Sequence, residues 1–154
     1  MNICGIDCDS KKIAIVILDN EENLITFCEL KSNSKNTQER IFDLYDMFHA
    51  IVHSLNANKV YIEDSLYLQN FKTSKVITEA IGNCKSIFRA HSIPFEMVCN
   101  TTWKKTVIGK GNASKNEIKA YILNKYPKLS DKSQDILDAT CIALYGIKNK
   151  GETE

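Results

Sequence analysis

Apolar positions recur along the chain with two periods, and the change from one period to the other marks out its elements. Asn2–Cys8 and Lys12–Asp19 are dominated by β-branched residues, residues 24–30 alternate apolar with polar, and Asn20, Glu21, Glu22 and Asn23 supply a turn. Three strands joined as a β-meander follow from that pattern. After a polar stretch at residues 32–36, the apolar residues Ile41, Leu44, Tyr45, Phe48, Ile51, Val52 and Leu55 keep helical spacing, with Asn36 and Glu39 placed as N-cap and N3. The spacing predicts one amphipathic helix of about five turns. Lys59–Asp64 is short, β-branched and bounded by polar residues, so it reads as a fourth strand, reached by a helical crossover and therefore parallel to the first.

A second helical stripe runs through Val76, Ile77, Ala80, Ile81, Cys84, Ile87 and Phe88, and residues 95–98 form a fifth short strand. Residues 100–116 show little periodicity and read as a loop, until Ser114 and Glu117 form a capping box that opens a helix running to about Tyr126. A last helix spans residues 133–148, and residues 151–154 read as a frayed tail. The expected fold is α/β, a five-stranded mixed sheet flanked by helices. A chain of 154 residues suits one core, so residues 1–150 are expected to be a single domain.

Composition narrows this little: 44% hydrophobic and 25% charged residues exclude a disordered, collagenous or coiled-coil protein. No apolar stretch reaches the roughly 18–20 residues of a membrane span, and no basic n-region precedes an apolar segment at the amino terminus, so a cytoplasmic protein without membrane partners is expected. Cys4, Cys8, Cys28, Cys84, Cys99 and Cys141 show no C-x-x-C pair and no partner at zinc spacing among His49, His53 and His91; reduced, mostly buried thiols are expected.

The formal net charge of +1 argues against a general affinity for nucleic acid, but the total hides a segregation. No acidic residue lies between Glu96 and Glu117, a window that holds Lys104, Lys105, Lys110 and Lys115 with Trp103, Gly109 and Gly111. Lysines supply point charges for phosphates, glycines allow close backbone approach, and Lys115 at a helix start adds the positive end of its dipole. The alternative is a solvated lysine loop with Trp103 as a core anchor. Leu66, Tyr67, Leu68 and Phe71 follow the fourth strand in a stretch read as a loop; they could stack on or wedge between bases, or pack beneath the loop.

Four acids carry the chemistry. Asp7 ends one apolar strand and Glu63 another, and in a parallel pair both carboxyl ends reach the same edge of the sheet, where open α/β sheets place their ligands. The last helix adds Asp135 and Asp138 at i, i+3 on one face, among Ile136, Leu137, Ala139, Cys141, Ile142, Ala143, Leu144 and Tyr145. A helix apolar on nearly every side is buried, and carboxylates on it are costly without compensating positive charge. Each acid alone could be a turn residue, a cap or a solvent stripe. Together, four oxygen donors without His or Cys suit Mg²⁺, with Mn²⁺ able to substitute. Two such ions can activate a water and stabilise the leaving oxygen in phosphodiester hydrolysis.

This order of parts resembles the RuvC family of Holliday-junction resolvases, which have the RNase H-like (retroviral integrase-like) fold. ICGIDCDSKKIAIVILD resembles that family's G-I-D-P-G strand, VYIED its second acid-bearing strand, KKTVIGKGNASK its lysine-glycine-lysine segment, and DILDA its D-x-x-D-A helix. The resemblance covers essentially the whole chain. It implies that Asp7, Glu63, Asp135 and Asp138 are metal ligands of two Mg²⁺ per site, and that Lys104 and Lys115 lie near the scissile phosphates, with Lys115 stabilising transition-state charge. It also implies branched DNA as partner (four-way junctions, with flaps and forks as further substrates) and a homodimer making paired nicks, with the helix at residues 76–88 as the interface. Two departures stand out: Cys8-Asp9 replaces the family's Pro-Gly, adding a carboxylate near the metals, and Leu66, with Tyr67 next to it, takes the place of the junction-centre aromatic. These departures, the lysine-heavy composition and the short length suit a bacteriophage-type member in a bacterial cytoplasm. The same residues leave two rivals. One is a catalytically weak branched-DNA-binding module with the same fold. The other is an actin-like or sugar-kinase ATPase, which needs two such domains where this length holds one.

Overall fold

Alternation along the first strand decides the architecture. In β1 (Asn2–Cys8), Cys4, Ile6 and Cys8 enter one hydrophobic core while Ile3 enters another, because successive side chains of a strand point to opposite faces. Gly5 and Asp7 therefore share the face of Ile3. The structure, a computed structural model, describes residues 1–64 and 71–149. Leu66 and Tyr67, read above as base contacts, and the tail at residues 151–154 lie outside the described residues.

β2 (Lys12–Asp19) and β3 (Leu24–Lys31) continue from β1 as an antiparallel meander, and β4 (Lys59–Asp64) and β5 (Phe95–Cys99) add on the other side in parallel, giving the order β3-β2-β1-β4-β5. This is the expected mixed sheet. α1 (Thr37–Ile51) and α2 (Phe71–Ala90) cover one face through Leu44, Phe48, Ile77, Cys84 and Phe88. α3 (Asn100–Ile108), α4 (Lys115–Lys125) and α5 (Gln134–Lys148) cover the other through Trp103, Ile122, Leu137 and Leu144.

Three boundaries differ from the sequence reading. The first long helix ends as α at Ile51, and Val52–Leu55 tighten into a 3₁₀ turn that Asn56 closes at φ 47°. α2 begins at Phe71, ahead of the stripe that marked it. The basic segment is largely helical: α3 runs from Asn100 until Gly109, at φ 101°, caps it by donating its N–H to the Lys105 carbonyl. Ser114 and Glu117 form the expected capping box at α4.

α5 lies directly on β1. A Cβ on Gly5 would stand 2.1 Å from the Ala139 carbonyl oxygen and 2.5 Å from the Ala143 nitrogen, closer than any real contact. Gly146 gives the same close approach to the Tyr61 ring and Ile3. Since α5 passes Gly5 with Ala139 and Ile3 with Gly146, its first turn lies at the carboxyl end of β1. Among the described residues all six cysteines are free thiols, and no helix is long and apolar enough to cross a membrane.

Candidate active site

The register of β1 and β4 pairs Ile3 with Lys59 and Ile6 with Ile62, which brings Asp7 and Glu63 level one residue further on, both on the α5 face. Ser133 starts α5 by accepting the Ile136 N–H at 3.3 Å, and its hydroxyl donates to Glu29 on β3. That cap holds Asp135 in the first turn, where the helix dipole favours an anion, and Asp138 one turn on. Ile136, Leu137 and residues 139–146 are buried, while Gln134, Asp135 and Asp138 are half-buried. The helix is apolar except for the polar stripe at its start, and that stripe faces the ends of β1 and β4.

Mutual repulsion in a poorly solvated place shows in the proton affinities. Burial, and then the charges of Glu63, Asp138, Asp135 and Asp9, push Asp7 up to about 8. Burial also raises Asp138 to about 6, with Glu63 adding to it while Gln134 and Lys104 oppose. Glu63 is raised by burial, against the opposing pull of Asn100, Lys104 and Trp103. These cross-influences place all four acids, with Lys104, in one electrostatic unit.

Each acid has a neighbour that orients it. The Asn100 amide donates to Glu63 Oε1 at 2.7 Å, and the Gln134 amide donates to Asp138 Oδ1 at 2.8 Å. Asp135 Oδ2 is buried without an aligned hydrogen-bond donor and meets the Lys12 ammonium in an ion pair; the Lys12 ammonium also lies 3.9 Å from Glu29. Sequence reasoning missed Asn100, Gln134 and Lys12. Lys12 carries a signal in retrospect, because its place in β2 puts it on the same face as Ala14 and Val16, the face of α5.

Of the lysine-rich segment, Lys104 reaches the acids, its ammonium standing 5.4 Å from the centre of the buried Trp103 ring. Trp103 is thus the core anchor of the second reading as well as a neighbour of Glu63. Lys105 and Lys115 are exposed, Lys115 as the first residue of α4, and Lys110 is engaged in an ion pair with Glu117. Asp9 acts chiefly on the turn that replaces Pro-Gly: its Oδ1 accepts the N–H groups of Lys11 at 2.5 Å and Lys12 at 3.0 Å.

Among the described residues no three His, Cys, Asp or Glu side chains are drawn close enough to hold an ion as they stand. The donor set nevertheless fits a hard divalent cation. It is all carboxylate oxygen, its members repel one another, and one buried oxygen has only an ion pair to answer it. Lys12 supplies part of the missing positive charge. Lys12→Met is therefore expected to lower the stability of the metal-free protein by about 1 kcal/mol and to tighten divalent-ion binding severalfold. Thermal melts in EDTA and titration calorimetry with Mn²⁺ check both directions.

A family model described as crossover junction endodeoxyribonuclease RuvC matches residues 3–145. Curated crossover junction endodeoxyribonucleases RuvC are similar over almost their whole lengths. The protein from Ehrlichia ruminantium (strain Welgevonden) is 30% identical over 159 residues, covering 96% of this chain and 99% of its own. That from Prochlorococcus marinus is 26% identical over 156 residues, covering 98% and 99%. Among solved structures, Thermus thermophilus RuvC in complex with Holliday junction substrate superposes with a TM-score of 0.86 at 18% identity, covering 99% of this chain and 97% of that one.

Proposed function

The chain belongs to the RuvC family, and from that premise we propose that it is a crossover junction endodeoxyribonuclease which resolves Holliday junctions and other branched DNA by paired phosphodiester hydrolysis. Its five-stranded mixed sheet with helices on both faces is the RNase H-like fold, and we take the described residues as one nuclease unit. The observation that carries the reading is the meeting of Asp7, Glu63, Asp135 and Asp138 at one sheet edge, where burial and mutual repulsion raise three of them.

Those four carboxylates are the groups to hold the metal, two Mg²⁺ per site with Mn²⁺ able to substitute. When bound, such ions supply Lewis acidity to the phosphodiester oxygens and to the attacking water. The chain's own part is to pre-position and to neutralise. Asn100 fixes the Glu63 carboxylate and Gln134 that of Asp138, so that little reorganisation is left for the reaction. Lys104 lowers the cost of packing the acids together. Lys115, exposed at the dipole-positive start of α4, is assigned to the charge that grows on the phosphate, and Lys105 and Lys110 to flanking phosphates. Lys110 must exchange Glu117 for that contact. Leu66 and Tyr67 follow β4 in sequence and are the proposed base contacts. A homodimer supplies two such sites for paired nicks, with α2 as the proposed interface.

Purified protein incubated with labelled four-way junction, flap and linear duplex tests this reading. Cleavage of the branched substrates is expected with Mg²⁺ or Mn²⁺ and none in EDTA, with a loss of at least about a hundredfold in Asp138→Asn. Cleavage that persists in EDTA, or equal cleavage by the variant, rules the mechanism out. Tight junction binding without cleavage is the result expected of a binding module. A monomer by light scattering at micromolar concentration speaks against paired nicking.

A further inference from the structure

The longest acid-free stretch of the sequence, residues 97–116, lies at α3 and the start of α4, next to β5. The structure gathers a second set of cations on the other side. Lys11 from the β1–β2 turn, Lys31 from the end of β3, and Lys35 and Arg40 from the entry to α1 line one surface hollow of about 370 Å³ with Ser32, Asn33 and Ser34. No acid lines it, and the space admits a phosphodiester group. Lys11, Lys31 and Lys35 are exposed, and among the described residues none of their ammonium groups stands in an ion pair.

Arg40 makes this a built surface and not three loose side chains. Its guanidinium donates to the carbonyl of Ser10 at 3.3 Å, to those of Ser34 and Lys35 at 3.1 and 3.2 Å, and to Thr37 Oγ1 at 3.1 Å. The Ser32 N–H donates to the Lys11 carbonyl at 3.1 Å, and the Ser32 hydroxyl to Asp43 at 2.5 Å. The β1–β2 turn is thereby pinned to the β3–α1 connection, so the ammonium groups are carried on a rigid frame. The hollow lies at the same end of the sheet as the acids, since Lys11 is followed by Lys12, the partner of Asp135, and Asp7 lies on the other limb of the same turn.

We propose that this hollow is a phosphate-binding platform for a DNA arm that leaves the acids on the side opposite α3 and the start of α4. The inference rests on the branched-DNA reading and deepens it: the duplex crosses the sheet edge with the acids in the middle, Lys104, Lys105 and Lys115 on one flank, and Lys11, Lys31 and Lys35 on the other. Contacts of this kind position the substrate and carry no base preference.

Its test is equilibrium binding of a fluorescent four-way junction in EDTA, where no cutting occurs, across a series of salt concentrations. Lys31→Gln/Lys35→Gln replaces two exposed side chains, so the fold should be kept and melts should match the parent. The slope of log K against log salt is expected to become shallower by about two, and affinity near 0.1 M salt to fall about 10- to 100-fold, equally for junctions of different sequence. Lys125→Gln/Lys128→Gln, beside the β2–β3 turn at the far edge of the sheet, should change neither by comparable amounts. An unchanged slope with wild-type junction affinity overturns the platform while leaving the nuclease reading intact. Equal losses from both pairs overturn it too, because they show a diffuse charge effect. Failure of the wild-type protein to bind any branched DNA removes the reading on which the platform rests.

Discussion

Asp7→Asn should extinguish junction cleavage, by at least about a thousandfold, and at the same time raise the melting temperature of the metal-free protein at pH 8. The first effect follows from removing a proposed metal-ligand oxygen from the acid cluster. The second follows from where that cluster holds its protons. Asp7 moves from 3.8 to about 8 in the fold because burial and four neighbouring acids oppose its charge, so the folded state prefers it neutral. A group raised in this way gives its full contribution below about pH 4 and loses it as pH climbs through 8. Asp138, raised to about 6, acts in the same direction over a lower window.

The metal-free protein should therefore melt progressively lower between pH 5 and pH 8.5, and divalent ions should restore stability most at the alkaline end, where they displace the fewest protons. Asparagine keeps the shape of Asp7 without the charge, and about 2 kcal/mol of stabilisation at pH 8.5 is expected. Melting curves in EDTA at pH 5, 7 and 8.5 decide it. An Asn variant that melts below the parent at pH 8.5 would mean that Asp7 is not under electrostatic strain.

The second large effect is expected from Gly5→Ala, a change of one methyl group at a residue buried between β1 and α5. That methyl would fall 2.1 Å from the Ala139 carbonyl oxygen and 2.5 Å from the Ala143 nitrogen. Both are backbone atoms of a helix buried on nearly every side, so no side chain can swing away, and α5 must lift from β1. A loss of about 3 kcal/mol is expected, equivalent to a melting temperature lower by roughly 10 °C for a domain of this size. Because α5 carries Asp135 and Asp138 while β1 carries Asp7, the surviving folded fraction should also cleave more slowly. Gly146→Ala is the informative comparison: its methyl meets the Tyr61 ring at 2.4 Å, far along the helix from the acids. It should cost stability while leaving the rate per folded molecule nearly intact. Urea denaturation and single-turnover cleavage separate the two outcomes.

How much of this could be read from the residues depends on the range over which each signal acts. Strands β1, β2 and β4 were legible because Ile and Val crowd into short runs, and a parallel β1–β4 pair then obliges Asp7 and Glu63 to share an edge. Asp135 and Asp138 stood out because they interrupt an apolar helix. α3 was not legible: only Trp103 and Val107 of its residues are buried, too few to reveal a period, and Thr101, Thr102 and Thr106 dilute the helical signal. Asn100, Gln134 and Lys12 escaped notice because an amide or a lysine is ordinary until folding puts a carboxylate beside it. The cations around Arg40 escaped for the complementary reason. They belong to three separate elements, and the topology that joins them has no local signature. The net charge of +1 concealed both basic flanks equally.

The alternation of β1 has one more consequence. Asp7 points toward α5, while the residues on either side of it, Ile6 and Cys8, sit in the opposite core with Ile77, Ile81 and Cys84 of α2. Chemistry and proposed assembly thus occupy two sides of one partition, a single strand thick. Either side can therefore be remodelled over evolutionary time without rewriting the other.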